Sequence, residues 1–288
     1  MVGIRRHELT DQEWELLAPL IPRAATGRPR VEDRQVINEM VYKIRTGISW
    51  RDLPERYGPW QTVYTRFRRY ALEGVFTRAL QHIQAHADAA GDIDWLVQID
   101  STIVHAHQHA AATGRKGGST GDEPYDHALG RSRGGLTTKV HLACDGRGRP
   151  LAILLTPGQR HDSICVRPLL ERIRVPRAGL GRSRCRPDRV IADKAYSSRG
   201  FRLYLPKRGI ACTIPEKSDQ RRHRHNRGRR GGRPPAFDRQ IYRRRNVVER
   251  CCNRLKSFRG IATRYDKTAT SYEAAVSLAS FLLWAPPV

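Results

Sequence analysis

The stretch "IDSTIVHAHQHAAA", residues 99–112, concentrates side chains that bind metals and transfer protons. Asp100 is followed by His105, His107 and His109 at a spacing of two. On an extended chain this spacing places the three histidines on one side, where they could hold a zinc ion. Zinc normally takes a tetrahedral set of ligands, and no neighbouring cysteine or carboxylate completes one here. The alternatives stay open: the histidines contact phosphate groups or order the loop, and Asp100 belongs to a site completed further along the chain.

A second group of such side chains lies in "FDRQIYRRRNVVERCCNRLKSFRG", residues 237–260, which we predict to be one helix. At 3.6 residues per turn, Tyr242, Arg245, Glu249 and Lys256 fall within an arc of roughly 60°. The opposite side is apolar and would pack on the core. The alternative is an ordinary amphipathic helix in which Arg245 pairs with Glu249 at the i,i+4 spacing.

A third acid, Asp193, ends the short apolar strand predicted in "RPDRVIADKAY". Asp100 likewise lies on a predicted strand, "DWLVQIDSTIV", so both aspartates are expected where a sheet opens to solvent. Together with Glu249 they form a set of hard oxygen ligands of the kind that Mg²⁺ accepts. Three carboxylates can hold two such ions about 3.5–4 Å apart, an arrangement suited to phosphoryl transfer.

The charge of the chain indicates a polyanionic partner. Its 288 residues contain 53 Lys plus Arg against 28 Asp plus Glu, a net charge of +25. No apolar run approaches the roughly 20 residues of a membrane span, which favours nucleic acid over a membrane. The start of the chain has no apolar signal segment, and the six cysteines form no C-x-x-C pair. We therefore expect a cytoplasmic protein, associated with the nucleoid, with reduced thiols.

The first 90 residues are predicted to be helical. Thr10 and Glu13 form a capping box, a second helix is expected near 32–46 with Gly47 as its stop, and a third starts near 61. The third carries clustered arginines and suggests a helix-turn-helix relative that contacts DNA through Arg66, Arg68 and Arg69. The alternative is that these arginines form a solvated face.

From about residue 93 the pattern changes to strands. "LTTKVHLACDGRGRPLAILLTPG" predicts a hairpin with its turn at Asp145-Gly146, which gives Asp145 a turn role. Asp162 is expected to cap a following helix. The tract 221–233 holds seven arginines and no acid. It is predicted to be an unstructured basic linker, spanning about 221–235, that collects phosphates or is simply solvated.

These stretches together resemble the DDE transposases of bacterial insertion sequences, in the insertion sequence five subgroup. The matching segments run from about residue 9 to 284 and include "WRDLPERYGPWQTVYTRFRRY", "LGRSRGGLTTKVH", "LLTPGQRHDS" and "IADKAY". The family signature Y-x2-R-x3-E-x6-K is met by Tyr242, Arg245, Glu249 and Lys256. Each piece is weak alone, but their number and order make the resemblance specific.

The resemblance implies an α/β fold: a ribonuclease-H-like catalytic domain at 91–288, preceded by an all-helical, helix-turn-helix-like DNA-binding domain at 1–90. Asp100, Asp193 and Glu249 would be the catalytic triad and would bind two Mg²⁺ (or Mn²⁺) ions. The expected DNA contacts outside the helical domain are Tyr242, Arg245, Lys256, Lys194, His107 and His109, with His161 and Asp162 as supporting candidates.

A transposase of this family would bind the terminal inverted repeats of its element, cut the DNA ends and join the 3′-hydroxyl to target DNA. The need to hold two ends together suggests a homodimer or higher oligomer on DNA. Three alternatives remain: a DNA-binding regulator without chemistry, a metal-dependent nuclease that does not join strands, and a recombinase that uses Tyr242 as a nucleophile.

Overall fold

The structure is a computed structural model that describes residues 7–22, 31–111, 123–132 and 134–285. Its helical N-terminal part contains α1 (Asp11–Leu17), α2 (Asp33–Thr46), α3 (Trp60–Leu72) and α4 (Val75–Ala89). The capping box of α1 is present, since Thr10 accepts from the Glu13 N–H and Glu13 accepts from the Thr10 N–H. Gly47 ends α2 at φ 74°, a left-handed conformation that favours glycine. The first three predicted helices are thus confirmed, and α4 is an additional one.

The remainder of the chain alternates strands and helices. The strands are β1 (Leu96–Ala106), β2 (Gly130–Ser132), β3 (Gly135–Cys144), β4 (Pro150–Pro157), β5 (Arg189–Ala192), β6 (Ala211–Thr213) and β7 (Thr263–Arg264). The helices are α5 (Gln108–Ala111), α6 (Asp162–Glu171), α7 (Arg199–Lys207), α8 (Ser218–Asn226), α9 (Arg239–Arg243), α10 (Asn246–Ser257), α11 (Arg259–Ala262) and α12 (Ala269–Trp284).

The sheet has its first long strand at the centre. β3 pairs antiparallel with β1 and with β4, and β5 lies parallel to β1 on the other side, followed by a parallel β6. The two short strands β2 and β7 pair with β3 and β1. The order β4-β3-β1-β5-β6 places Asp100 on the central strand and Asp193 directly after β5. This is the arrangement expected of a ribonuclease-H-like sheet, and the α/β fold class is confirmed.

The hairpin between β3 and β4 is confirmed, as is the turn role of Asp145. This residue is completely buried, and its carboxylate accepts from the backbone N–H groups of Arg147 and Arg149 and from the Arg149 guanidinium. The buried charge is therefore compensated within its own turn.

One hydrophobic core runs through both the helical part and the sheet. Helix α12 is buried along nearly its whole length and packs against α3 and α4 as well as β4. Close backbone contact joins the two parts elsewhere, because a Cβ added at Gly260 would lie 3.0 Å from Ile44 Cα of α2. The helical region thus packs directly against the C-terminal helices α11 and α12.

Two predictions of secondary structure are wrong. The tract 221–233 is not an unstructured linker, because α8 and a 3₁₀ turn at Gly228–Gly231 occupy most of it. The helix predicted across 237–260 is instead divided into α9, α10 and α11. The break falls at Arg244 and Arg245, and Arg245 becomes the residue that precedes α10. No helix in the described ranges is long and apolar enough to cross a membrane.

The structure also corrects the prediction that Arg66 contacts DNA. Arg66 is 7% exposed, and its guanidinium donates to the Val31 carbonyl and to Tyr70 Oη and forms an ion pair with Asp33. It faces the core because the buried side of α3 includes its position. Arg68 is partly buried and donates to Thr268 Oγ1 (2.8 Å) and Ser271 Oγ (2.5 Å) at the start of α12. Arg69 is exposed, unlike Arg66 and Arg68.

Candidate active site

Asp100 and Asp193 lie side by side at the edge of the sheet formed by the carboxyl end of β5. Asp193 follows that strand as predicted, whereas Asp100 is not at a strand end, because β1 continues to Ala106. In the parallel pairing of β1 with β5, Ile99 is opposite Ala192, so the next residue of each strand is an aspartate. Neighbouring strands are about 4.8 Å apart, which sets the scale of the separation between the two backbones. The Asp193 carboxylate accepts from the Ala195 N–H at 2.7 Å and caps the 3₁₀ turn Lys194–Tyr196. The local turn therefore fixes the direction of the Asp193 side chain.

Glu249 reaches the same edge from the first turn of α10. Of the six residues predicted on the apolar side, four are buried and two, Ile241 and Val247, are half-buried. The buried four are Val248, Cys251, Leu255 and Phe258. The helix is tied to the central strand by a hydrogen bond from the Val248 N–H to Gln98 Oε1 at 3.2 Å. Gln98 is itself completely buried on β1, two residues before Asp100. This contact sets where α10 begins relative to β1 and so places Glu249 near Asp100.

Arg245 joins the two carboxylates that come from different elements. Its Nη2 lies 2.8 Å from Asp100 Oδ2, and its Nη1 lies 2.7 Å from Glu249 Oε1. The expected i,i+4 pair between Arg245 and Glu249 is therefore present. The additional pair with Asp100 spans a large sequence separation, and periodicity could not reveal it.

The three carboxylates are close enough to influence each other electrostatically. Burial raises the pKa of the Asp100 carboxyl, the Ser101 N–H and Arg245 oppose this effect, and the charges of Asp193 and Glu249 add to it. Burial also raises the pKa of Tyr242, Arg245 again opposes it, and all three carboxylates raise it further. Tyr242 therefore lies within electrostatic range of the three acids, which favour its neutral phenol.

A second acidic position, Asp162, flanks this group through Ser101. Asp162 Oδ1 accepts from Ser101 Oγ at 3.0 Å and from Lys139 Nζ at 2.9 Å. The prediction that Asp162 caps α6 is wrong: the cap is His161, whose Nδ1 accepts from the Ser163 N–H at 3.2 Å. Asp162 is instead the first residue of the helix, and its carboxylate points toward the strands. Asp162 is thus linked to β1 through Ser101, the residue that follows Asp100.

Sequence reasoning also missed Tyr196, the last residue of the 3₁₀ turn that Asp193 caps. Its side chain is 1% exposed, and burial together with the nearby charges of Asp162 and Asp100 raises the pKa of its phenol. The signal available was its place in "IADKAY", three residues after a strand-end aspartate. Lys139 was missed for another reason, since its relation to Asp162 depends on the pairing of β3 with its neighbours.

Three of the predicted DNA-contact and supporting residues differ in exposure and in their hydrogen bonds. Lys256 Nζ donates to the Ile103 carbonyl at 3.0 Å, so it lies along β1 beyond Asp100. Lys194 is exposed next to Asp193. His161 is exposed, and its Nδ1 lies 2.7 Å from Ser163 Oγ at the start of α6. Lys194 therefore adjoins Asp193 in sequence, and Lys256 contacts β1 three residues beyond Asp100.

The histidines that follow Asp100 do not share one side of a strand, because β1 ends at Ala106 and His109 lies in the short helix α5. His107 and His109 contact each other with ring centroids 4.6 Å apart, and His107 packs on Tyr265 at 4.9 Å. His107 Nδ1 also accepts from the His109 N–H at 3.3 Å. These contacts favour the loop-ordering interpretation over zinc.

Within the described part of the chain, no three His, Cys, Asp or Glu side chains converge closely enough to form a ready metal site. The same holds for Asp100, Asp193 and Glu249. Arg245 lies between two of the three carboxylates and holds them through its own guanidinium.

Comparison with known proteins assigns the two parts of the chain. A family model described as "Transposase DDE domain" matches residues 93–284. A second, described as "Putative transposase of IS4/5 family", matches residues 9–80. The "Putative transposase for insertion sequence element IS6501" of Brucella ovis is 31% identical over 149 residues, covering 52% of this chain and 98% of that protein.

Two further matches are more distant or less complete. The "Putative transposase for insertion sequence element IS402" of Burkholderia cepacia is 32% identical over 164 residues, covering 57% of this chain and 67% of that one. Among solved structures, a Mos1 transposase paired-end complex aligns at 12% identity and a TM-score of 0.25, covering 92% of this chain and 82% of that one. Since the catalytic-domain model matches residues 93–284 of 288 and a transposase relative is covered over nearly its whole length, the protein belongs to the DDE transposases of bacterial insertion sequences.

Proposed function

We propose that the protein binds the terminal inverted repeats of its insertion sequence, cleaves the DNA ends and joins the freed 3′-hydroxyl to target DNA. The observation that carries the proposal is the meeting of Asp100, Asp193 and Glu249 around Arg245 and Tyr242 at one edge of the sheet. In this role the three carboxylates are the catalytic residues, and the protein acts as a homodimer or higher oligomer that holds two ends.

The donor chemistry of this group fits a hard divalent cation such as Mg²⁺ or Mn²⁺. Such ions take carboxylate oxygens as ligands and keep positions for water and phosphate oxygen. Two ions bound there would supply activation of the attacking oxygen and stabilisation of the leaving oxygen. The fit has one condition, because the Arg245 guanidinium engages Asp100 Oδ2 and Glu249 Oε1 and must release at least one of them.

The chain's own cations and phenol position the DNA in this proposal. Arg245 is long enough to exchange a carboxylate for a phosphate oxygen, which its planar guanidinium binds with two parallel hydrogen bonds. Lys256 and Lys194 border the same edge and add charge for the backbone. Tyr242 is a positioning residue in this proposal, because two metal ions would activate both attacking oxygens and no nucleophilic side chain is needed. His107 and His109 would add phosphate contacts at the end of β1.

Two other functions share this geometry. A metal-dependent nuclease uses the same carboxylates without joining strands. A DNA-binding regulator keeps the fold without cutting, but it has no need for three carboxylates within electrostatic range of one another. The tyrosine-recombinase alternative predicts a covalent bond between protein and DNA at Tyr242, and Tyr242→Phe would then abolish activity.

The test uses DNA that contains the two ends flanking the gene, a plasmid target, and Mg²⁺ or Mn²⁺. Wild-type protein is compared with Glu249→Gln and with Glu15→Gln, a matched substitution at an exposed glutamate of α1. We expect end cleavage and joined products with wild type and Glu15→Gln, and a loss of at least 100-fold with Glu249→Gln, roughly the scale of removing a group that acts on the reacting atoms.

The other outcomes separate the alternatives. Cleavage without joined products would move the assignment to a nuclease. Specific binding of the ends without cleavage would favour a regulator. Full activity of Glu249→Gln would show that another acid is the catalytic one, and Asp162 would then be the first candidate.

A further inference from the structure

Residues 218–233, here called the basic arm, form a structured projection that the catalytic proposal leaves without a role. It consists of α8 and the 3₁₀ turn Gly228–Gly231, and no residue in either element is buried. A helix that buries no residue gains no stability from a hydrophobic face, so a different kind of interaction has to stabilise it. Its sequence contains no apolar side chain, which excludes insertion into a membrane surface as that interaction.

The arm carries a dense positive charge that the protein itself does not neutralise. Of its seven arginines, Arg224 forms an ion pair with Glu216. Across the described part of the chain, the other six make no side-chain hydrogen bond or ion pair, and all six are exposed: Arg221, Arg222, Arg227, Arg229, Arg230 and Arg233. After Asp219, the next acid in the sequence is Asp238.

The N-terminal end of the arm is fixed to the turn that carries Asp193. Gln220 Nε2 donates to the Ser197 carbonyl at 2.5 Å, and Ser197 Oγ donates to Gln220 Oε1 at 2.7 Å. Ser197 is 1% exposed and lies four residues after Asp193. Arg202 holds the same point by donating to Ser197 Oγ (3.0 Å) and to the Ile214 carbonyl (2.7 Å).

The C-terminal end of the arm also leads back to the proposed catalytic group. The segment after the arm leads to Phe237, whose ring packs on Tyr242 with centroids 5.1 Å apart. The charges of all three carboxylates raise the pKa of the Tyr242 phenol. Both ends of the arm are therefore anchored within a few residues of the proposed catalytic group.

Between these anchors the arm folds back on itself. A Cβ at Gly231 would clash with the Arg224 carbonyl oxygen, so the 3₁₀ turn packs directly against α8. Gly228 and Gly232, with φ of 50° and 74°, allow the chain to reverse on either side. The arginines are thus presented on a compact, defined unit.

We propose that the basic arm is a docking surface for the sugar-phosphate backbone of duplex DNA, binding without base specificity beside the catalytic carboxylates. This inference rests on the proposed function, because it takes DNA as the substrate that enters the site. Arginine binds phosphate oxygens in bidentate geometry, and each neutralised phosphate releases counterions. The arm then holds the duplex next to the bond to be cut while the reading of sequence is left to other surfaces.

The test measures binding of a random-sequence duplex of about 30 base pairs in EDTA, so cleavage plays no part. The main variant is Arg221→Gln/Arg222→Gln/Arg229→Gln, and the lysine version of the same triple keeps the charge. The control is Arg174→Gln/Arg182→Gln/Arg186→Gln, which removes three exposed arginines from the segment before β5, at the opposite end of that strand from Asp193.

We expect the slope of log K against log[salt] to fall by about 0.9 for each phosphate that the variant no longer neutralises, up to about 2.7 for the main variant. At the upper value, binding by the wild type would weaken about 40-fold more than binding by this variant between 50 and 200 mM salt. The lysine version and the control should keep slopes near wild type.

A wild-type slope in the glutamine variant, or an equal fall in the control, would overturn the proposal. A fall in slope on duplex RNA that is absent on duplex DNA would overturn it as well, since the partner would then be RNA. Failure of the proposed catalysis is scored separately, by the absence of metal-dependent cleavage in protein that still binds DNA through the arm.

Discussion

Glu39 offers a quantitative test of how this fold tolerates a buried charge. It lies on α2 with 0% exposure, and neither carboxylate oxygen has a hydrogen-bond partner within the described part of the chain. Burial raises its pKa from 4.5 to about 7. The perturbation is Glu39→Gln, which keeps the shape of the side chain and removes the charge.

The magnitude follows from the pKa shift. Between pH 4.5 and 7 the unfolded chain releases the Glu39 proton while the folded chain keeps it, so the free energy of unfolding falls as pH rises. At about 1.4 kcal/mol per pKa unit, the full cost above pH 7 is roughly 3 kcal/mol. From pH 5 to pH 8 the change due to this group is about 2.5 kcal/mol.

The assay is urea unfolding of wild type and Glu39→Gln at pH 5, 6, 7 and 8. The variant should gain about 2.5 kcal/mol relative to wild type across this range, most of it below pH 7. Glu15→Gln, an exposed counterpart on α1, should track wild type at every pH. A stability difference between Glu39→Gln and wild type that stays constant with pH would refute the reasoning, because the buried carboxyl would then titrate as it does in the unfolded chain.

Two further predictions concern the Arg245 bridge and the Gly260 backbone contact. Arg245→Gln should bind Mn²⁺ several-fold more tightly than wild type in a calorimetric titration without DNA, because a cation that competes for Asp100 and Glu249 is removed. Arg250→Gln, exposed on the same helix, should bind as wild type does, and equal affinities for all three proteins would contradict the prediction. Gly260→Ala should lower stability by about 1–3 kcal/mol in thermal unfolding, since its Cβ would press on the α2 backbone. Gly179→Ala, where a Cβ meets nothing within 4 Å, should be neutral, and similar melting temperatures for the two variants would argue against a tight contact.

The parts of the fold that sequence predicted well are those set by local signals. The capping box at Thr10, the glycine stop at Gly47 and the alternation around Asp145-Gly146 each act within a few residues. The strand-end position of Asp193 was also local, because it follows an apolar run. The same signal was wrong for Asp100, which lies inside β1 because that strand continues to Ala106. The catalytic roles of these residues remain a prediction.

The errors arose where distant residues decide. Arg66 resembled the exposed arginines beside it, but Asp33 and the Val31 carbonyl, far away in sequence, draw it into the core. The tract 221–233 has no apolar period, so nothing local predicted α8, whose start is held by Gln220 on Ser197. The i,i+4 pair of Arg245 was readable, but its second partner required knowing that α10 packs on β1.

The shared core has a consequence for how this protein moves and how it can be dissected. Because α12 is covered by α3 and α4, removing residues 1–90 would expose the apolar side of a sixteen-residue helix and leave a fragment prone to aggregate. The hydrogen bonds from Arg68 to Thr268 and Ser271 attach α3 to the start of α12. Because α12 also packs on β4, α3 is held in a fixed position relative to the sheet. If α3 contacts DNA as predicted, this packing would hold that DNA at a fixed distance and angle from the carboxylates and so fix the spacing between the bound sequence and the bond to be cut.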